Sequence, residues 1–169
     1  MTNVNASLSG NDRTPCNDTV IAELEKTMSE LLRTTFASRT TLRMDVPEHH
    51  CHVDTVCAEA LAPGIPTLKL NSSIDQRSTA TAQWLEANGQ MLIQNDSVNA
   101  DVKSPQALMS VYGVKAQMLA PLILRDRLIG WISVHYVPGT RVWGAQDITA
   151  LSHAIENVRT LLQFHGWIP

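Results

Sequence analysis

Residues 116–137 read AQMLAPLILRDRLIGWISVHYV, two apolar runs (118–124 and 128–137) joined by the charged triplet Arg125-Asp126-Arg127. Strand-length runs rich in Leu, Ile and Val around so short a polar joint predict a β-hairpin. Both runs are nearly continuous in apolar residues, the pattern of strands at the centre of a sheet covered on both faces. Along the second run, alternate residues share a face: Trp131, Ser133 and His135 on one side, Gly130, Ile132, Val134 and Tyr136 on the other. The latter set is apolar enough to lie under helices. The former, an indole, a hydroxyl and an imidazole, has the character of a pocket floor. For His135 the alternative is a buried imidazole satisfied by a backbone carbonyl.

Outward from the hairpin, residues 144–164 carry Ile148, Leu151, Ile155, Val158 and Leu162 at alternating spacings of three and four, a helical seam. At the other end, Asn17 or Asp18 would cap a helix whose stripe runs Val20, Leu24, Met28, Leu31, Leu32 and then Phe36 or a neighbouring turn. Residues 39–46, RTTLRMDV, place Leu42, Met44 and Val46 on one side and Thr41, Arg43 and Asp45 on the other, predicting a half-buried strand ended by Pro47. Residues 53–61 are compatible with a strand, and PTLKL (66–70) with another short one. A helix is expected from about Asp75, closed by Gly89. QMLIQND (90–96) reads as a strand running into a loop. Residues 104–114 read as a short helix with Ser104 as N-cap and Pro105 in its first turn. The order of elements predicts an α+β fold: a central, mainly antiparallel sheet with terminal helices on one face. Residues 1–16 read as a polar, flexible tail and 17–169 as one domain.

Composition narrows the role. With 169 residues, 44% hydrophobic and 17% charged, the chain has the make-up of a globular domain with a full core. The net charge is −3, and the 13 basic residues form no run, so nucleic-acid binding is not expected. No segment reaches the 18 or so apolar residues that a membrane span requires, and the start lacks the pattern of a signal peptide. Three cysteines, Cys16, Cys51 and Cys57, with no secretion signal point to free thiols and a cytoplasmic location.

The segment 116–158 resembles the C-terminal half of a GAF domain. Pro121, Leu128, Ile129, Gly130, Asp147, Ile148 and Leu151 fill the positions of that family's pattern, and Asp96 stands where its upstream strand ends in an aspartate. The resemblance covers roughly residues 17–163. It implies an antiparallel sheet of about six strands, terminal helices on one face that often pair two copies into a homodimer, and a small-molecule pocket under loops and short helices on the other. It also implies a sensor whose pocket loops close on a ligand and alter the helix seam that a partner reads. Members bind cyclic nucleotides, haem, tetrapyrroles or small metabolites, and a few are enzymes. The chain is expected to stand alone, since it leaves no room for a coupled output module. Bilin-binding members carry a Cys-His pair in the helical region before the final hairpin. Here Cys51-His52 lies between the first two strands, so tetrapyrrole attachment is not expected.

The residues offer further candidates. Tyr112 and Lys115 stand between the short helix and the hairpin, a lid position in a GAF-like fold. Arg141 and Trp143, two apart before the last helix, could frame one end of a ligand, the guanidinium gripping a carboxylate or phosphate. Alternatively Arg141 bridges to Asp147 and Trp143 caps the core. Asp96 could receive a ligand donor or cap a turn. His49, His50, Cys51 and His52 form a dense run of metal-ligating types, suited to a transition metal or, through one histidine here or His135, to haem. A closed zinc site needs about four ligands and no second cluster follows, so a solvated polar loop is the alternative. Two readings of function result: a GAF-like small-molecule sensor, or a cofactor-dependent enzyme or gas sensor using haem or metal. No nucleophile elbow, phosphate loop or metalloprotease motif is present. An interaction module with a filled pocket is a third.

Overall fold

The computed structural model describes residues 15–70 and 74–169; most of the expected tail lies outside them. The elements are α1 (Pro15–Thr35), β1 (Arg39–Met44), β2 (Ala58–Leu61), α2 (Ala80–Asn88), β3 (Leu92–Gln94), α3 (Gln106–Ser110), β4 (Ala116–Leu124), β5 (Arg127–Tyr136) and α4 (Ala145–Phe164). Among the described residues the sheet has five antiparallel strands in the order β2-β1-β5-β4-β3, one fewer than about six. The missing one is PTLKL. Instead of joining a ladder, Leu68 N–H and the Thr67 hydroxyl are held by the Glu59 carboxylate, which turns Leu68 inward.

The helices α1 and α4 pack on one face of the sheet. Val20, Leu24, Met28 and Leu31 of α1 and Leu151, Ile155, Val158 and Leu162 of α4 bury against Leu42, Met44, Ile132 and Val134. Helical spacing on two elements and alternation on two strands thus meet in a single core, and burying each such side chain stabilises by about 1.5–3 kcal/mol. A polar clasp crosses the helix pair where Asn157 Nδ2 donates to Thr27 Oγ1 at 2.9 Å. Phe36 departs from the expected stripe. It sits just past α1 with a positive φ of 51° and is 83% exposed, because the chain must turn there to enter β1.

Other boundaries moved for local reasons. Helix α1 starts at Pro15, where a missing N–H costs nothing, so Asn17 is no cap; its Oδ1 accepts from His49 Nδ1 instead. Gln76–Ser78 is a separate 3₁₀ turn, and α2 begins only after Thr79, whose hydroxyl accepts from Ala82 N–H. Gly89 ends α2 in the left-handed conformation, as expected. Ser104 does not cap α3; its hydroxyl accepts from Gln117 Nε2. Strand β1 is buried along its whole length rather than half-buried. Its apolar side faces the helices. Its polar side, Arg39, Thr41 and Arg43, faces something else.

Gly130 explains how the centre of the sheet closes. The β4–β5 register shifts between Leu122 and Ile123, leaving Ile129 as the extra residue of a bulge, and Ile129 O accepts from Asp45 N–H at 2.6 Å. Gly130 then pairs with Met44 so closely that a Cβ would lie 2.3 Å from Arg43 O.

Candidate functional site

Strand register sets out the far face of the sheet in three rows. Directly opposed residues of antiparallel strands share a face. One row is Arg39, His135 and Gln117; the next is Glu59, Thr41, Ser133 and Leu119; the third is Arg43, Trp131 and Pro121. Above this floor opens a cavity of about 60 Å³. Its roof comes from Leu68, Gln76, Thr81, Pro105, Leu108 and Tyr112, contributed by the 66–70 segment, the 3₁₀ turn, α2 and α3.

The polar groups of the floor are organised. Arg39, fully buried, donates from Nε and Nη2 to Pro66 O at 3.2 and 2.7 Å, which ties the roof segment down to β1. Its Nη1 lies 3.3 Å from His135 Nδ1. A guanidinium only donates, so Nδ1 accepts and the imidazole proton sits on Nε2. Burial, then the charges of Arg39 and Arg43, hold the His135 pKa well below its ordinary value, so the ring is neutral. Gln117 Nε2 donates to Gln94 Oε1 at 2.7 Å and to Ser104, and Gln94 Nε2 donates to Val102 O at 2.7 Å, anchoring the loop before α3. Arg43, 8% exposed, donates once, from Nη1 to Val53 O at 2.9 Å. Burial lowers the Arg43 pKa, against the weaker pull of Cys57, Asp54 and Glu59.

A neutral buried histidine leaves a mark on stability. The unfolded chain takes up a proton on His135 below about pH 6.5 and the folded chain does not, so the unfolded state binds more protons and stability falls as pH drops. The full contribution is present above pH 6.5. The loss runs through the pH range just below the ordinary histidine pKa. In urea melts at pH 7.5 and 5.5 the wild type is expected to lose more stability on acidification than His135→Gln. Equal dependence would mean that the ring is protonated in the fold.

Of the candidates read from the sequence, Trp131, Ser133, His135 and Tyr112 come together around the cavity. Arg141, Trp143, Lys115 and Asp96 do not line it. Arg141 pairs with Asp147 at 3.0 Å and stacks on Trp143, 4.3 Å from the ring centroid. Trp143 is in the helix-side core and donates from Nε1 to Gln94 O at 3.2 Å. Lys115 is exposed, its backbone bonded to Tyr136 O. Asp96 caps a turn by accepting from Val98 and Asn99 N–H, and its hydrogen bonds to Asn99 lower its pKa.

The histidine run disperses. His49 stacks on Trp167 with centroids 4.1 Å apart, His50 ends a 3₁₀ turn in the left-handed conformation, and His52 is exposed. Cys51 is buried against Val46, and its hydrogen bond with Cys57 and then burial push the Cys57 thiol up. Among the described residues no group of three or more His, Cys, Asp or Glu side chains could hold a metal ion. His135 is also a poor axial ligand, with Nδ1 engaged by a guanidinium and a second guanidinium nearby.

Sequence reading missed Thr41, Arg43, Gln117 and Arg39. Their signal was present: three polar residues alternating on a strand next to the central hairpin. On its own, that pattern is also what a solvent-facing strand looks like.

Several solved structures share this fold. The blue-light-absorbing form of the PixJ GAF domain of Thermosynechococcus elongatus is 18% identical, with 90% of this chain and 91% of that chain covered and a TM-score of 0.72. GAF3 of Slr1393 from Synechocystis sp. PCC6803, in its photoproduct state, is 16% identical over 86% of this chain and 98% of that one, with a TM-score of 0.64. The phycocyanobilin-bound GAF domain of a cyanobacterial phytochrome is 15% identical over 88% and 94%, with a TM-score of 0.64. No curated protein matches the chain in sequence. The family model described as GAF domain matches residues 19–160, from the first helix through the hairpin that forms the cavity floor to the last, and by that match the chain belongs to the GAF domain family.

Proposed function

We propose that this chain is a sensor domain that binds a small molecule non-covalently in the cavity over Trp131, Ser133 and His135. One observation carries this reading: the face of the sheet turned away from the terminal helices is only partly filled, by a small core of Ala82, Leu85, Leu92, Leu119, Leu128 and Trp131. It holds a cavity whose floor combines an indole with arginine, hydroxyl and imidazole groups. An apolar wall with a few converging polar groups is the usual make-up of a ligand site. No helix among the described residues is long and apolar enough to cross a membrane.

A linked tetrapyrrole of the kind named for the phycocyanobilin-bound neighbour does not suit this cavity. No cysteine lines it, α3 contains none, and its volume of about 60 Å³ is well under the roughly 150 Å³ of a cavity that admits benzene. The same size argues against haem.

The signal would leave through the roof. Pro66 and Leu68 are tied to the floor by Arg39 and Glu59, so a ligand that tightens or loosens the roof acts directly on β1 and β2, against which α1 packs. Homodimerisation through the outer surfaces of α1 and α4 fits this route, with Phe164 83% exposed at the end of α4. Filling the cavity tests the proposal. Ser133→Leu is expected to keep the melting temperature within a few degrees while cancelling the thermal shift that a metabolite mixture gives the wild type. An undiminished shift would place binding elsewhere.

A further inference from the structure

The floor rows contain an electrostatic imbalance. Arg39 and Arg43 bring two permanent positive charges to one face of the sheet, and Glu59 brings one negative charge. His135 is neutral. The Glu59 carboxylate is engaged by the Thr67 hydroxyl and Leu68 N–H, and among the described residues no carboxylate lies within ion-pair distance of Arg43 or Arg39. Nearby Asp45 pairs with Arg77, and Asp54 accepts from Gln76 N–H. Asp54 and Glu59 together balance the two arginines in number, yet neither carboxylate sits on the Arg43 guanidinium itself.

Placement of this charge is informative. Arg39 is fully occupied by Pro66 O and His135 and has a structural task. Arg43 is different: more than nine-tenths buried, it lines the cavity and makes one hydrogen bond among the described residues, from Nη1. A guanidinium has five N–H donors, so most of its fork is left for something in the cavity. Across the strand pair stands Trp131, and two rows on stands His135, whose Nε2–H has no protein acceptor among the described residues. Thr41 and Ser133 add hydroxyls between them. A buried guanidinium fork with no carboxylate on it is unfavourable, and an anion in the cavity would complete it. A planar two-oxygen acceptor matches the fork in shape as well as in charge.

Resting on the function proposed above, we infer that the ligand is a small planar monoanion, a carboxylate or an inorganic oxyanion of like size, gripped by Arg43 with His135 Nε2–H as a second donor. The cavity volume limits it to a few heavy atoms inside the pocket, with any larger part emerging through the mouth. One guanidinium fork matches one two-oxygen group, and the Arg43 charge disfavours a cation.

The test compares sodium acetate, propionate and nitrate with acetamide, propionamide and sodium sulfate, at constant ionic strength set by sodium chloride. The Trp131 indole N–H is followed by ¹⁵N NMR, since among the four tryptophans only Trp131 lines the cavity. At least one of the monoanions is expected to shift that resonance saturably and to bind at least tenfold more tightly than its neutral amide or than sulfate. Preference for nitrate would identify an inorganic ligand, and preference for propionate an organic one. Arg43→Gln should remove the discrimination without lowering the melting temperature, and Arg43→Lys should restore part of it. Amides that move Trp131 as well as the anions would overturn the inference and leave the pocket reading standing. A Trp131 resonance that no compound moves would overturn both. The wild-type comparison decides the matter even if a variant fails to fold.

Discussion

Gly130→Ala is expected to destabilise the protein by about 3 kcal/mol or more, the upper end of what overpacking a well-filled interior costs. The added Cβ would stand 2.3 Å from Arg43 O and 2.8 Å from Met44 Cα, both backbone atoms of the neighbouring central strand. Backbone cannot rotate aside as a side chain can, so β1 must move away from β5 or the bulge at Ile129 must flatten. Either change breaks the Asp45 N–H to Ile129 O bond and shifts the row that holds Arg43 and Trp131. At 2–4 °C per kcal/mol for a chain of this length, the melting temperature should fall by roughly 6–12 °C in a calorimetric scan. A fall of a degree or less would show that the strands have room that the geometry denies.

The second large effect concerns Arg39. Arg39→Ala removes the largest fully buried side chain of the described residues, leaves the Pro66 carbonyl without its two donors and frees the roof segment. Cavity formation in a core costs about 2–5 kcal/mol, and Pro66 is exposed enough for water to take over its carbonyl, so a loss of about 3 kcal/mol is expected. Arg39→Met restores the volume and not the hydrogen bonds, and should recover about half. Removing the Arg39 charge also takes away one of the causes that keep His135 deprotonated, so the acid-dependent part of the stability shrinks as well. Denaturant melts of both variants at pH 7.5 and 5.5 measure these effects together. Arg39→Ala and Arg39→Met melting alike would mean that the Pro66 tie contributes nothing.

These two residues also mark how far the sequence could be read. The LIG triplet at 128–130 announced a hairpin and a family. Both followed from local pattern: continuous apolar strands, a charged turn and a glycine where no side chain fits. Two terminal seams of helical spacing likewise fixed which face of β5 lies inward, and hence that Trp131, Ser133 and His135 look the other way. Arg39, Thr41 and Arg43 were harder. Their alternation with Thr40, Leu42 and Met44 is the same whether the polar side meets water or a cavity, and only the strand order, with β1 between β2 and β5, decides between them. Arg141 and Trp143 misled for the converse reason. Two apart in sequence and chemically apt, they are consumed by Asp147, Gln94 O and one another. The histidines of 49–52 failed as a group because a tight 3₁₀ turn at Pro47–His49 sends successive side chains in different directions.

Binding on the strand face opposite the terminal helices can be observed through intermolecular NOEs from a bound small molecule, identified by screening a metabolite library against isotope-labelled protein. Contacts are expected to the Trp131 indole and the methyl groups of Leu119 and Leu108, with none to α1 or α4. A ligand whose contacts fall instead between Thr34 and His153 in the helix groove, or a library with no binder at all, would contradict it.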